Sequence, residues 1–584
     1  MKKSQFLFFL AVVLSFFAWQ TLLKPGYFSM HDDMQAFRLL EMDKCFRDSQ
    51  LPCRWVPDAG FGYGYPLFNY YPPLPYYLAQ LIHSLGFSIL DSIKAVFILG
   101  FLIAAGTMYL LGQSLWGPWG GFLASILYSF APYHAVDIYA RGALNEFWAF
   151  AWFPAVFFSI YRYIETEKKK YLLGFALFYA LLFLTHNLMV LIFTPVAIGW
   201  LVLNLLSFKK VRLWSRFIGS SLLSLGLAAF FVFPVVLEKK LVHLETMIVG
   251  YFNYLAHFVS LNQLFLRRNW GYDASVWGME EDLSFQIGWP HWWLAFLVIP
   301  LAFFLPKNKE DEKKRRLIFY FLIFGLTAAF LTHPRSTFLW KKLPFLEYLQ
   351  FPWRFLSLVI FSFSLLAGAL PFILKRIIQN QKRSRNNSKV SEFKTVSDQQ
   401  GRIFISFVTL ALAASAILLN APYFKEDIWY WHLTDSQRFS DPGQWERQIT
   451  SGIFDYLPKS APFPPGEAAL KSPWFESGEG EIINYQRGTN WYRFQVRVVS
   501  DEAVIKIPTF DFPDWELKVD QEVRSFEADK ELGRPFFYLS QGEYRVSFEL
   551  KNTPIRVFSN WLSLISWLGF FWLAFKYSSA EKAE

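Results

Sequence analysis

Charged residues are scarce in this chain of 584 residues: Asp, Glu, Lys and Arg make up 18% of it, whereas 54% is hydrophobic and 20% is aromatic. So little charge excludes an ordinary soluble or disordered chain of this length. The sequence also lacks an internal repeat and a glycine-rich phosphate loop, which excludes the nucleotide-binding proteins that depend on such a loop. The repeated apolar runs of near bilayer-spanning length indicate an integral membrane protein.

Cysteine is almost absent as well. Only Cys45 and Cys53 are present, and both fall in the first predicted outer loop. A disulfide between them is one interpretation, and a metal pair is a weaker one because no companion ligands stand at zinc spacing. The net charge of +10 does not indicate a nucleic-acid partner, since the basic residues cluster in short loops between apolar runs.

The interiors of the apolar runs contain very few ionisable residues. Ion-coupled pumps and transporters carry acidic, basic or His residues near the bilayer midplane, so this absence disfavours them. The run 6–23 follows Lys2 and Lys3, and it reads as an anchor that enters the membrane from the cytoplasm. Asp32 and Asp33 then lie on the outer face.

The number of spans depends on segment 75–85, which is helical in pattern but short. If it lies on the outer surface, the basic loops 167–170, 209–212, 307–316 and 375–402 all face the cytoplasm, as the positive-inside rule requires. We therefore predict an interfacial helix there and about twelve spans. These are 6–23, 92–112, 118–132, 147–161, 171–185, 188–206, 217–236, 292–306, 317–331, 355–374, 403–419 and 561–575.

The composition changes after residue 420. Strand-like alternation at 491–498 and 544–550, with turns between, indicates a small β-sandwich-like domain. We predict an α-helical polytopic membrane domain over 1–420 with interfacial helices in the outer loop 24–91. An extracytoplasmic β-rich domain follows over 421–557, and 558–584 forms the last transmembrane helix with a short cytoplasmic tail.

The doubled acid of the first outer loop is the strongest local signal. Asp32 and Asp33 follow His31, and two adjacent carboxylates beside a membrane are costly unless they are used. A carboxylate there acts as a general base when it is half-buried and its neighbours tune its proton affinity. The alternatives are a solvated acidic turn and an N-cap for the amphipathic stretch 34–42.

Several strings in the membrane region resemble a known family. They are Arg-Trp-x-Pro-Asp at 54–58, Gly-Tyr-Gly-Tyr-Pro-Leu-Phe at 62–68, Tyr-Pro-Pro-Leu at 71–74, Tyr-x-Arg-Gly-Ala-Leu-x-Glu at 139–146, Thr-His-Asn at 185–187 and Gln-Phe-Pro-Trp-Arg at 350–354. With the acidic pair, they resemble the GT-C superfamily of polyprenyl-phosphate-sugar-dependent glycosyltransferases. More narrowly, they resemble the bacterial pyruvoyl-tetrahydropterin-synthase-related membrane proteins.

This resemblance implies transfer of a sugar from a polyprenyl-phosphate donor to a glycan, lipid or protein acceptor on the outer face of the cell membrane. Asp32 matches the expected general base, and Asp33 matches the acid that orients the acceptor or holds a basic partner. No cofactor is expected. A divalent metal stays open, because His31, Asp32, Asp33 and Glu146 are suitable ligand types.

Arginine suits the phosphate of such a donor, because its planar fork binds two oxygens. Arg141 is the first choice for this role, ahead of Arg267, Arg268 and Arg354. For Arg141 the alternatives are an interfacial anchor and a salt bridge to Glu146, and for Arg354 the alternative is a place in the interfacial belt.

Three further residues are candidates for substrate binding. His186 binds substrate or is a satisfied interfacial residue. Glu238 accepts from acceptor hydroxyls or caps its helix with Lys239. Tyr65, with Tyr63, Tyr70 and Tyr71, forms a carbohydrate-stacking wall or an aromatic belt. Two other functions stay open: a lipid or polysaccharide transporter, and a non-catalytic envelope-assembly or glycan-binding protein.

Overall fold

A computed structural model describes residues 3–276, 278, 281–385, 393–452 and 455–583. A helical region comes first, and a β-rich region lies between its last two long helices. The prediction of a helical membrane protein with a separate β-rich domain is confirmed. The β-rich region begins after a helix that ends at Asn420, and the last helix begins at Pro554, ahead of the predicted boundary at 558.

The helices are numbered here in chain order. The anchor and first outer loop contain α1 Lys3–Leu14, α2 Phe16–Trp19, α3 Gln35–Arg47, α4 Leu67–Tyr70 and α5 Leu74–His83. The bundle contains α6 Ile89–Trp116, α7 Pro118–Ser129, α8 Pro132–Ala135, α9 Leu144–Thr166, α10 Lys169–Phe183, α11 Asn187–Ser207, α12 Trp214–Leu227, α13 Ala229–Leu237, α14 Leu261–Phe265, α15 Trp289–Ala302, α16 Lys309–Leu331, α17 Thr337–Lys342, α18 Leu356–Gly368, α19 Leu370–Arg385 and α20 Phe393–Asn420. The segment between α20 and α23 is called the outer region here, after the side of the membrane that the sequence predicts for it. It adds α21 Asp435–Ser440 and α22 Pro442–Thr450, and α23 Pro554–Ala583 follows it.

Six helical segments of the described residues are long and apolar enough to cross a membrane. They are Lys3–Leu23, Ile89–Trp116, Asn187–Ser207, Pro352–Asn380, Gln399–Tyr423 and Pro554–Ser579. Two further pairs, Val211–Leu227 with Ala229–Leu237 and Lys309–Leu331 with Pro334–Lys342, are bent by 83° and 92° and bring the number to as many as eight.

The sequence predicts about twelve spans, which is more than the six to eight segments that pass this test of length and composition. The other four predicted spans fall on α7, α9, α10 and α15. Of these, α7, α10 and α15 have 12, 15 and 14 residues, short of the roughly 20 that a span needs. Helix α9 is long enough, with 23 residues, but it is not among the segments that are apolar enough to cross a membrane.

The short helix α5 carries one buried and one exposed face. Tyr76 and Gln80 are buried, whereas Leu81 is exposed, and the helix has only 10 residues. It is too short to span, in agreement with the predicted interfacial position.

Small residues allow the central helices to pack closely. A Cβ on Gly120 of α7 would lie 2.6 Å from the carbonyl oxygen of Gly368, and one on Gly112 of α6 would lie 3.0 Å from the Cα of Gly121. Side chains there would push α6, α7 and α18 apart, so these glycines set the tight packing of the bundle centre.

The β-rich domain is one hydrogen-bonded antiparallel sheet of seven strands, in the order β3-β5-β9-β6-β7 with β4 beside β5 and β8 beside β9. Its strands are β3 Trp474–Ser477, β4 Gly480–Arg487, β5 Trp491–Lys506, β6 Trp515–Val519, β7 Glu522–Arg524, β8 Glu527–Ala528 and β9 Pro535–Leu550, after β1 Gly26–Phe28 and β2 Trp429–Trp431. The pairing of β5 with β9 shifts register between Val498 and Glu502, so β5 runs through that point as one strand with a bulge.

Two ties attach the outer region to the first outer loop, and a disulfide braces the loop itself. Strands β1 and β2 pair antiparallel, with Tyr27 opposite Tyr430. A hydrogen bond of 3.0 Å runs from Trp491 Nε1 to Asp48 Oδ1. Within the loop, a disulfide joins Cys45 at the end of α3 to Cys53. The loop is thereby held between the bundle and the sheet.

Candidate functional site

A cavity of about 440 Å³ opens where several of the loops between the helices meet. We call it the Asp32 cavity. Segments from the first outer loop, from 141–146, from 186–188, from 247–283, from 350–354 and from 455–456 line it. It brings together six of the predicted site residues, namely His31, Asp32, Arg141, Glu146, His186 and Arg354.

Asp32 is held on one side and open on the other. Its Oδ2 accepts hydrogen bonds from Nη1 of Arg38 at 2.7 Å and from Nε2 of Gln35 at 3.0 Å. Its backbone N–H donates to the carbonyl of Arg141 at 2.9 Å. Oδ1 has no hydrogen-bond partner among the residues that the structure describes, and the side chain is 37% exposed. The carboxylate can therefore accept a proton from a group in the cavity.

Arg38 was missed by the sequence reasoning, although it fixes this carboxylate. It lies on α3, and its guanidinium lies 4.3 Å from the ring centre of Tyr71. Nη1 also contacts the hydroxyls of Tyr71 at 3.2 Å and Tyr76 at 3.4 Å. Stacking and hydrogen bonds together restrict the guanidinium to one orientation.

Two arginines share one carboxylate in the cavity wall. Oε2 of Glu146 accepts from Nη2 of Arg141 at 3.0 Å and from Nε of Arg354 at 3.2 Å, while Oε1 accepts from the Tyr133 hydroxyl at 2.6 Å. Nη1 of Arg141 bonds the buried carboxyl of Asp137. The predicted Arg141–Glu146 salt bridge is thus present, and Arg354 belongs to the same cluster rather than to an outer belt.

Two guanidinium groups and two carboxyl groups form this cluster. Burial and the nearby charge of Glu146 raise the pKa of Asp137 well above its usual range. Nη2 of Arg354 has no partner among the described residues, which leaves it available to an anion in the cavity.

His186 presents a defined tautomer. Its Nδ1 accepts from the backbone N–H groups of Leu188 at 3.2 Å and Met189 at 3.3 Å, so it caps α11. Burial lowers the pKa of His186 to about 3, which keeps the ring neutral and its proton on Nε2. Within the described parts of the chain Nε2 has no partner, so it can donate into the cavity.

His31 stands at the cavity edge. Its Nε2 lies 2.5 Å from the backbone carbonyl of Tyr272, and its backbone N–H donates to Ala140 at 2.9 Å. These bonds attach the turn that carries Asp32 to the loop between α14 and α15 and to the segment before α9.

Three predicted site residues lie outside the cavity. Asp33 accepts from Nη2 of Arg438 at 2.7 Å, and burial raises its pKa; it thus holds a basic partner from α21. The hydroxyl of Tyr65 is buried and bonds Gly452 and Tyr456. Arg267 and Arg268 do not line the cavity either.

Glu238 is the third predicted site residue that lies outside the cavity, and it is buried in a separate cluster of polar side chains. Its Oε2 accepts from Nε of Arg556 at 2.9 Å and from Asn69 at 3.2 Å, and its Oε1 accepts from Thr553 at 2.5 Å. It joins α13 to the first outer loop and to α23. It does not line the Asp32 cavity, and it stands at the C-cap position of α13, directly before Lys239.

The outer region contributes two residues that the sequence reasoning did not identify, Asp455 and Tyr456. Both line the cavity. The Tyr456 ring stacks on Tyr70 with centres 5.5 Å apart, and its N–H donates to the Tyr65 hydroxyl at 2.5 Å. Burial raises the pKa of Asp455 to about 6. Tyr65 and Tyr70 therefore position the segment that carries this carboxyl.

The described residues contain no group of three or more His, Cys, Asp or Glu side chains that could hold a metal ion. His31 and Asp32 line the cavity, but Glu146 is already paired with Arg141 and Arg354. The predicted ligand set for a divalent metal is therefore not assembled by these side chains.

The chain belongs to the family described as 6-pyruvoyl-tetrahydropterin synthase related domain; membrane protein, whose model matches residues 68–419. An uncharacterized protein of Lactococcus lactis subsp. cremoris is 25% identical over 213 residues, which are 35% of this chain and 34% of that protein. The match thus spans about a third of the curated relative.

Among solved structures, the chain is similar to the apo oligosaccharyltransferase of Archaeoglobus fulgidus, with a TM-score of 0.43 and 12% identity over 76% of this chain and 60% of that one. It is also similar to the same organism's oligosaccharyltransferase AglB in complex with an inhibitory peptide and a dolichol-phosphate, with a TM-score of 0.43 and 11% identity over 76% of this chain and 59% of that one.

Proposed function

We propose that this membrane protein is a GT-C-type glycosyltransferase that moves a sugar from a polyprenyl-phosphate donor to an acceptor hydroxyl on the outer face of the membrane. The observation that carries the proposal is the set of unpaired polar atoms in the Asp32 cavity. One is an acceptor, Oδ1 of Asp32, and two are donors, Nε2 of His186 and Nη2 of Arg354.

These atoms match the needs of a displacement at a sugar carbon. Oδ1 of Asp32 takes the proton of the acceptor hydroxyl as its oxygen bonds to the sugar carbon. The bond from that carbon to the phosphate oxygen breaks, and the lipid phosphate leaves with the bonding pair. Arg141, Arg354 and the His186 N–H stabilise the charge that develops on it.

Two features support a position of the Asp32 cavity on the outer face of the membrane. The Cys45–Cys53 disulfide lies in the loop that carries Asp32, and disulfides persist in oxidising compartments. The basic loops fall on the opposite side by the positive-inside rule.

The test is a transfer assay on the purified protein in liposomes, with polyprenyl-phosphate sugars labelled in the sugar. Asp32→Asn removes the base and is expected to lower transfer by about 10²–10⁴-fold. Asp427→Asn changes an exposed outer carboxylate away from the cavity and serves as the matched control. Full transfer by Asp32→Asn would contradict the role of Asp32 as the base. Movement of the intact donor across the membrane of sealed vesicles, without formation of a new glycosidic bond, would favour a transporter.

A further inference from the structure

A second pocket lies far from the Asp32 cavity. Its volume is about 390 Å³, and three cationic side chains line it together with Pro118, Trp119 and neighbouring apolar residues. The cations are Lys3, Lys375 and Arg402. We call it the basic pocket.

The basic pocket is at the opposite membrane surface from the Asp32 cavity. Lys3 begins the span Lys3–Leu23, Lys375 is near the end of Pro352–Asn380, and Arg402 is near the start of Gln399–Tyr423. The other ends of these spans lead to the cavity: residue 23 precedes Asp32, and Arg354 stands at the beginning of its span. By the positive-inside rule the basic pocket faces the cytoplasmic leaflet.

The three charges are not balanced by the protein. Lys375 and Arg402 are close enough to Lys3 to repel it electrostatically. No described carboxylate forms an ion pair with any of the three cations. The neighbouring Arg376 differs, since it pairs with Glu310 at 2.5 Å and Asp311 at 3.1 Å. Like charges that converge without a counterion raise the free energy of the folded protein unless an anion binds between them.

The walls of the pocket suit a lipid. Lys3 Nζ lies 4.9 Å from the ring centre of Trp119, and tryptophan is typical of the headgroup level of a bilayer. Ile378 and Ile405 extend the wall along the helices. A phosphate between the cations would place acyl chains against these apolar residues.

We propose that the basic pocket binds the phosphate headgroup of an anionic phospholipid of the adjoining leaflet. Basic pockets between transmembrane helices on the cytoplasmic side suit such headgroups. The proposal rests on the basic pocket alone and is independent of the reaction assigned to the Asp32 cavity.

The experiment measures phosphatidylglycerol retained by the full-length protein in phosphatidylcholine nanodiscs, using native mass spectrometry and titration with a labelled phosphatidylglycerol. The test variant is Lys3→Gln, Lys375→Gln and Arg402→Gln together. The matched control is Lys209→Gln, Lys307→Gln and Lys309→Gln, which removes the same charge from basic loops at the same predicted surface without touching the pocket. We expect phosphatidylglycerol affinity to fall by about tenfold or more in the test variant, because each basic group near an anionic lipid contributes appreciably.

A third variant, with Lys3→Arg, Lys375→Arg and Arg402→Lys, keeps the charge and is expected to retain the lipid, which separates lost binding from misfolding. Equal retention by the test and control variants would overturn the proposal. Displacement of the lipid by inorganic phosphate at equal concentration would also overturn it, because the ligand would then be a free anion and not a lipid.

Discussion

Nη1 of Arg38 lies 2.7 Å from Oδ2 of Asp32, so one oxygen of this carboxylate is fixed while the other faces the cavity. The same guanidinium stacks on Tyr71. Orientation of the proposed base therefore depends on Arg38, which itself lines the cavity beside Asp32.

Arg38→Lys is expected to lower kcat of the proposed transfer by about 10- to 100-fold with little change in KM for the donor. A lysine keeps the charge but cannot stack on Tyr71 and bond Asp32 in one geometry, and a charge-assisted hydrogen bond contributes about 1.5–3 kcal/mol. Steady-state kinetics with a labelled donor measure both constants. A rise in KM alone would place Arg38 in donor binding instead.

Glu146→Gln is expected to destabilise the protein by about 3–5 kcal/mol, because it leaves two buried guanidinium groups without their shared counterion. Thermal unfolding in detergent measures the loss. The matched control is Glu165→Gln, a carboxylate on the same helix that is about one-third exposed and pairs with Arg162 among the described residues. A loss of up to about 1 kcal/mol is expected there. Equal effects at both positions would contradict the shared ion pair.

Asp455 is expected to make stability fall as the pH rises from about 4 to about 6. Its pKa of about 6 in the folded protein exceeds the value of about 3.9 of an unfolded aspartate. The folded state therefore binds more protons in that window, and stability decreases with pH by on the order of 1–3 kcal/mol.

Asp455→Asn removes this titration. Melting temperatures measured across the same pH range should fall in the wild type and change less in the variant. Parallel profiles for the two proteins would show that Asp455 is ionised throughout.

Glu238→Gln is expected to destabilise the protein by about 3–5 kcal/mol, because Arg556 then keeps a buried charge without an ionised partner. The two side chains are 3% and 2% exposed. Adding Arg556→Met to Glu238→Gln should restore part of the stability, since the unpaired charge is gone. Chemical or thermal unfolding of the two variants measures this coupling, and additive losses would contradict it.

The membrane class, the β-rich domain and the short helix α5 could be predicted from the sequence, because apolar runs and strand alternation are local patterns. The bend between α12 and α13 could not. Pro234 and the break after Leu227 lie inside one apolar run, and hydrophobicity alone does not show that the chain bends there by 83°.

Part of the candidate site was predictable because its residues lie in short sequence motifs at the ends of apolar runs. These residues are Arg141, Glu146, His186 and Arg354. Arg38 lies on an amphipathic helix and carried no such signal. Asp455 lies in a polar stretch of the outer region, and only tertiary contacts bring it to the cavity. Glu238 was misplaced because its partner Arg556 is 318 residues away in the chain.

The pairing of β1 with β2 has a consequence for biogenesis. The strand beside Asp32 meets its partner only at residues 429–431, and Arg438 and Asp455 follow still later. A ribosome that has synthesised the chain through α20 has therefore not yet supplied these parts, and the cavity wall is complete only after the segment between α20 and α23 has been made and has folded. A chain truncated before that point would lack Asp455 and Tyr456, and the Asp32 cavity would be open on that side.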